Sequence, residues 1–298
     1  MSKIPYSKSA LSYNAQLQQL EERGLTILNR SKALHLLEYI SYYRLSGYWY
    51  PLLSNKNNHT FKPGSNFETA FNLYCFDREL RKLILSELEK IEVAIRAKTI
   101  YILSHEHGPF WFQNPNLFKN PATLQATLKK IREEYGRSDE EFIVAFKNKY
   151  LDPLPPSWIL MEITSFGSLS KLYSNLRPGK EKRAIANSFG LSDSVFQQWL
   201  HSIVYLRNLC AHHGRLWNKT LSIRPQIPLS PRKTWLHNKN GRNDRAWFVL
   251  CMIKFLLQTV NPSNRLASKI KILFEKYPNV DPAAMGFPSD WQAEQLWQ

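Results

Sequence analysis

Apolar residues along the chain recur every third or fourth position far more often than every second one, which is the spacing of helices rather than strands. From Asn66 to about Ser104, Leu80, Ile84, Leu88, Ile91 and Ile95 follow at steps of four, four, three and four, and predict one long helix with a core-facing stripe. Asp77/Arg81 and Glu92/Arg96 are spaced i,i+4 to pair along it. A second such stripe, Phe196, Trp199, Leu200, Ile203, Leu206 and Cys210, predicts a helix capped by Ser192 or Ser194, stapled by Leu191 and running to about His213. Ala246 to Val260 is apolar almost throughout and reads as a central core helix capped by Asp244. Further helices are predicted over Tyr13–Arg23, Ser31–Tyr50, Pro121–Tyr135, Asp139–Tyr150, Trp158–Thr164, Ser168–Asn175 (after a break at Phe166-Gly167), Lys180–Ser188 and Ser263–Tyr277. Proline- and glycine-bearing stretches at 51–65, 105–121 and 214–242 read as loops. No segment alternates convincingly as a strand. The expected fold class is all-α, a helical bundle with long ordered loops. The expected organisation is an N-terminal helical segment over 1–60, a helical domain over 61–280 and a tail over 281–298 packed on that domain.

Composition narrows the function classes. The 298 residues carry 40 Lys+Arg against 24 Asp+Glu, a net charge of +16, and are 43% hydrophobic, values at odds with a disordered chain. A positive surplus of this size favours a polyanion partner, and 13% aromatic residues add rings that stack on bases. Three scattered cysteines and no CxxC argue against a disulfide framework and a structural zinc site. The N-terminus has no apolar core of a signal peptide, and the stretch from Ala246 to Leu257 is too short to cross a bilayer. A soluble, cytoplasmic protein with no membrane partner is expected. Walker, GxGxxG and nucleophile-elbow motifs are absent from the sequence, so nucleotide hydrolysis and esterase chemistry drop out.

The sharpest candidate chemistry is Arg207-Asn208-Leu209-Cys210-Ala211-His212-His213. Metal-free RNA cleavage needs a base to take the ribose 2′-hydroxyl proton or an acid to protonate the leaving 5′-oxygen, and histidine does either. It also needs fixed positive charge at the phosphorane, which arginine supplies in a bidentate way. Asn208 can orient the imidazole or a phosphate oxygen. Two further Arg-x4-His pairs, Arg30/His35 and Arg232/His237, lack both the polar amide after Arg and a place at the end of a long amphipathic helix. On a regular helix Arg207 and His212 lie about 140° apart. Either the helix unwinds near His213-Gly214, or the centre joins two copies of the segment, which predicts a homodimer with a composite site. No metal ligand set and no cofactor are expected: His105-Glu106-His107 has no further partner in sequence, and adjacent helical histidines such as His212 and His213 point about 100° apart.

Several blocks carry a family resemblance. They are Gln16-Leu17 to Leu25, Ile40 to Tyr48, Phe67, Leu73 to Arg81, Ile91 to Arg96, Trp158, Ser165 to Ser170, Arg207 to Asn218, and Met285-Gly286-Phe287-Pro288. In that order they resemble the Abi-like (abortive infection, AbiD/AbiF type) phage-defence proteins of bacteria. The resemblance implies a HEPN-superfamily helical fold, whose members commonly act as metal-independent endoribonucleases through an R-x4-6-H motif, while some only bind RNA or a partner. It implies Arg207, Asn208 and His212 as catalytic residues, with His213 and Arg215 as auxiliaries. The family is also implicated in binding a structured non-coding RNA that controls it.

The stretch 215–242 contains Arg215, Lys219, Arg224, Arg232, Lys233, Lys239 and Arg242 and no acid. Cations interleaved with Trp217 and Trp235 suit single-stranded RNA, with the alternative that the tryptophans pin a surface loop to the core. The aromatics of 42–50 read as core, with Arg44 directed at RNA or an acidic partner, and Arg78 can also reach RNA. The RNA-binding candidates are therefore Arg44, Arg78, Trp217, Asn218, Lys219, Arg224, Arg232 and Lys233. The leading expectation is an endoribonuclease of phage defence that leaves 2′,3′-cyclic phosphate and 5′-hydroxyl ends. A silent or latent module clamping a structured RNA and a protein-interaction scaffold are the alternatives.

Overall fold

A computed structural model describes residues 5–237 and 242–298. Among these residues are twelve α-helices and one two-stranded antiparallel sheet, so the fold is all-α as the spacing predicts. The chain divides into two compact units, 1–80 with 272–281 and 81–271 with 282–298.

The first unit holds α1 (Tyr13–Glu22), α2 (Arg30–Ile40) and α3 (Tyr42–Trp49). Ser12 and Asn29 cap α1 and α2 by accepting from the amides of Ala15 and Lys32 at 3.2 and 2.9 Å. The single helix expected over Ser31–Tyr50 is broken at Ser41, whose φ of 79° leaves the helical region while its hydroxyl caps α3. The loop expected at 51–65 contains a small hairpin, β1 (Leu53–Asn55) with β2 (Thr60–Phe61), too short for alternation to register in the sequence. The long helix α4 (Phe67–His107) begins here. Its buried Asp77 accepts from the Tyr48 hydroxyl at 2.6 Å. The last turns of α12 (Leu266–Lys276) meet α4, with Phe76 stacked on Phe274 and Glu79 bound by Lys276 and Tyr277.

The second unit holds the rest of α4, then α5 (Pro121–Gly136), α6 (Glu141–Lys149), α7 (Ser157–Ile163), α8 (Phe166–Asn175), α9 (Lys180–Ser188), α10 (Asp193–Ala211), α11 (Ala246–Val260) and the start of α12. Ile84, Leu88, Ile91 and Ile95 on α4, and all six apolar stripe residues of α10, are buried. Each such side chain stabilises the fold by about 1.5–3 kcal/mol relative to exposure. Rings lock the helices together: Phe196 of α10 packs on Tyr173 of α8, and Trp199 packs on Phe255 of α11. Among the features that differ from expectation are the start of α8 and the cap of α11. Phe166-Gly167 opens α8 rather than breaking it, because Ser165 accepts from the Ser168 amide and caps the helix there. Asp244 does not cap α11; Arg245 occupies that position, and the Asp244 carboxylate binds Arg242 instead. In the tail, Phe287, Trp291 and Trp297 surround Trp247 at the head of α11. Among the described residues no helix is long and apolar enough to cross a membrane.

Candidate nucleic-acid interface and catalytic centre

The Arg207–His213 segment ends α10. Ala211 is the last helical residue and His212 the C-cap, so the helix stops between Arg207 and His213. Its last carbonyls are met by the turn that follows. The His213 amide donates to Cys210 O at 3.1 Å and the Gly214 amide to Leu209 O at 2.8 Å, the paired bonds of a Schellman ending. His213 takes the left-handed position with φ 57°, a conformation in which histidine is enriched over most residues. Gly214 is required for a different reason: a Cβ there stands 2.3 Å from Leu209 Cδ1 and 3.0 Å from Leu209 O. Arg207, Asn208, His212 and His213 are all exposed on this last turn.

Arg207 is held from two sides. Its Nη1 donates to Asn208 Oδ1 at 3.4 Å, and its Nε lies 3.9 Å from Glu92 Oε2 on α4. The other Glu92 oxygen accepts from Arg96 Nη2 at 3.0 Å, and buried Arg96 donates onward to Thr164 O at 2.8 Å. The expected Glu92/Arg96 pair is therefore formed, and it extends across helices to Arg207. Sequence spacing gives no sign of that extension, since Glu92 and Arg207 lie on separate helices. The arrangement presents a guanidinium backed by a carboxylate, beside exposed imidazoles.

The segment lies within a longer match. Residues 35–218, more than half of the chain, match the family described as Abi-like protein. The chain belongs to the Abi-like family. No curated protein and no solved structure matches it. Family membership suggests a role in abortive infection, the defence of bacteria against phage. The matched region of this Abi-like chain takes in Arg44, Arg78, Glu92, Arg207 and His212 and stops at Asn218.

Most of the basic loop lies beyond that limit, and several of its described residues are tied down. Gln226 O accepts from Trp199 Nε1 at 2.8 Å, and the Gln226 amide donates to Gln198 Oε1 at 3.1 Å. Lys233 Nζ donates to Thr259 Oγ1 at 2.7 Å, and Thr234 O accepts from Gln258 at 2.9 Å. Asp244 gathers cations: Arg242 binds it at 2.9 Å and Arg224 lies 3.4 Å away. The hydrogen bonds from Arg242 hold the Asp244 carboxyl below its ordinary range, against the opposing effect of burial.

Arg224, Arg232 and Arg242 are exposed, while Arg215, Asn218, Lys219 and Lys233 are half-buried. Asn218 adopts a left-handed φ of 47° and accepts from Arg245 at 3.5 Å. Trp217 and Trp235 are only 5% and 7% exposed, and Trp235 packs against Trp199, Phe248 and Phe255. Their rings are thus turned into the core, as the pinned-loop alternative expects, and a base has no open face of either ring to stack on. Lys239 lies outside the described residues. Arg44 and Arg78 are exposed in the first unit, and Arg207 to Lys233 belong to the second. The pair Arg30/His35 is occupied elsewhere, with Arg30 bound to Glu21 at 2.9 Å and His35 against Tyr39. Among the described residues no group of three or more His, Cys, Asp or Glu is placed to hold a metal ion.

Proposed function

We propose that this Abi-like chain is an AbiD/AbiF-type member with a HEPN fold, working in the cytoplasm as a metal-independent RNA endonuclease. The observation that carries the reading is the last turn of α10. It exposes Arg207 and His212 together, with Arg207 backed by the Glu92–Arg96 pair, on a chain of net charge +16. His212 takes the proton of a ribose 2′-hydroxyl, or delivers one to the leaving group. The 2′-oxygen bonds to phosphorus, the bond from phosphorus to the 5′-oxygen breaks, and that oxygen leaves with a proton. The products carry 2′,3′-cyclic phosphate and 5′-hydroxyl ends. Arg207 stabilises the charge of the phosphorane, Asn208 positions the Arg207 guanidinium it contacts, and His213 and Arg215 assist. Pairing two copies supplies an Arg and a His from different chains, which relieves the divergence of the two side chains on one helix.

A second reading is a module that clamps a structured RNA without cutting it. It is favoured by the basic loop, whose path is set in advance by its bonds to α10 and α11. One experiment separates the two: the protein and its His212→Ala variant are purified in parallel, co-purifying RNA is extracted, and cleavage of it is scored with EDTA present. Cleavage by the wild type alone supports the nuclease. Equal RNA recovery and no cleavage by either supports the clamp. Loss of cleavage in EDTA that Mg²⁺ restores overturns the metal-free mechanism.

A further inference from the structure

The second unit carries open aromatic faces at residues outside the RNA-binding candidates of the sequence. Helix α7 runs antiparallel to α4: Ser157 at its start bonds Ser104 at 2.8 Å, and Thr164 after its end accepts from Arg96 at 2.8 Å. Along this seam lies an open groove of about 470 Å³, lined by Ala97, Tyr101, Ser104 and His105 of α4 with Trp158 and Glu162 of α7. Tyr101 is 60% exposed and Trp158 51%, against 5% and 7% for the loop tryptophans. His105 packs on Tyr101 at 4.1 Å between ring centroids and donates from Nδ1 to Tyr101 O, which braces the Tyr101 ring.

We infer that this groove is a stacking site for an unpaired base of a bound RNA strand. The inference rests on the RNA reading above. Two features select a base. Exposed Trp and Tyr rings are the platforms that single-stranded nucleic acid uses, since every base has a π-face. The Glu162 carboxylate repels a phosphate but accepts from an exocyclic amino group, so the base rather than the backbone enters, and amino-bearing bases are favoured. Arg96, which bonds Thr164 O at one end of the seam, is also the residue that grips Glu92 behind Arg207.

The test is binding of 2′-O-methyl oligoadenylate, which cannot be cut by 2′-oxygen attack, beside an abasic oligomer with the same number of phosphates. Tyr101→Leu with Trp158→Leu is expected to weaken oligoadenylate binding roughly 5- to 100-fold, the span of one lost base stack, and to leave the abasic oligomer unchanged. Tyr101→Phe with Trp158→Phe keeps the rings and is expected to keep the affinity. Thermal unfolding of each variant checks the fold, and both positions are exposed. If the leucine variant binds oligoadenylate as the wild type does while Arg224→Glu with Arg232→Glu loses it, the groove proposal fails and the RNA reading stands. If the wild type binds neither oligomer, both fail. If the leucine variant changes oligomeric state and not RNA affinity, the groove is a protein-docking face and the proposal is overturned.

Discussion

Gly214 is where the chemistry of a single residue decides whether the candidate centre exists. The sequence shows a glycine after the last helical turn, the usual sign of a left-handed ending, but here His213 takes that conformation and Gly214 serves close approach to Leu209. Leu209 Cδ1 can move aside; the Leu209 carbonyl oxygen, 3.0 Å from an added Cβ and bonded to the Gly214 amide, cannot without opening the turn. Gly214→Ala is therefore expected to cost about 1–3 kcal/mol, the range for forcing atoms into a packed site. It should also displace His212 and His213 from Arg207. Urea unfolding measures the first effect, and cleavage of co-purified RNA the second. Wild-type stability in the variant would show that the turn is not the constraint the geometry describes. At this scale the sequence is informative about residue types and silent about who faces whom: Glu92 is legible as the partner of Arg96, and its contact with Arg207 is not.

Among the elements, α9 shows how a charge is used inside a helical packing. Lys182 is 4% exposed, and its Nζ donates to Ser174 O and Leu176 O at 3.2 Å and to Gln197 Oε1 at 2.8 Å, tying α9 to the end of α8 and to α10. Burial, with Lys119 nearby, pulls its pKa down from 10.5 to about 8. Between those two values the unfolded chain holds a proton the folded chain has released, so the contribution of Lys182 to stability rises as pH climbs through that window. Below about pH 8 both states are charged and the folded one carries the desolvation cost. The stability of the wild type minus that of Lys182→Met is expected to increase from pH 8 to pH 10 in chemical denaturation, and a flat difference would sink the assignment. The same helices show what periodicity can reveal. Stripes of five and six apolar residues locate α4 and α10 well, and a nearly continuous apolar run locates α11, because burial sets these patterns. The break at Ser41 and the cap at Ser165 depend on one hydroxyl and one backbone angle each, which hydrophobic pattern does not record.

For the molecule as a whole, a net charge of +16 creates an attraction for any polyanion, and this makes the contribution of particular cations hard to isolate. Salt dependence isolates it. Each phosphate contact on a single strand steepens the fall of log affinity with log salt by about 0.7. Replacing Arg224 and Arg232 with alanine should thus flatten the slope by about 1.4 if both touch phosphate. Replacing Lys129 and Lys130, exposed on α5, with alanine removes the same charge from a different surface. If that control weakens binding without flattening the slope as much, Arg224 and Arg232 make contacts rather than merely adding to the field. Equal changes in the two variants would mean that the loop acts through net charge alone. Its bonds to α10 and α11 favour contact: a loop whose path is set before RNA arrives loses less conformational freedom on binding, and its exposed arginines are already held at the surface. The match to the Abi-like family stops at Asn218, so these arginines lie outside the matched region, and the salt slope tests them independently of family membership.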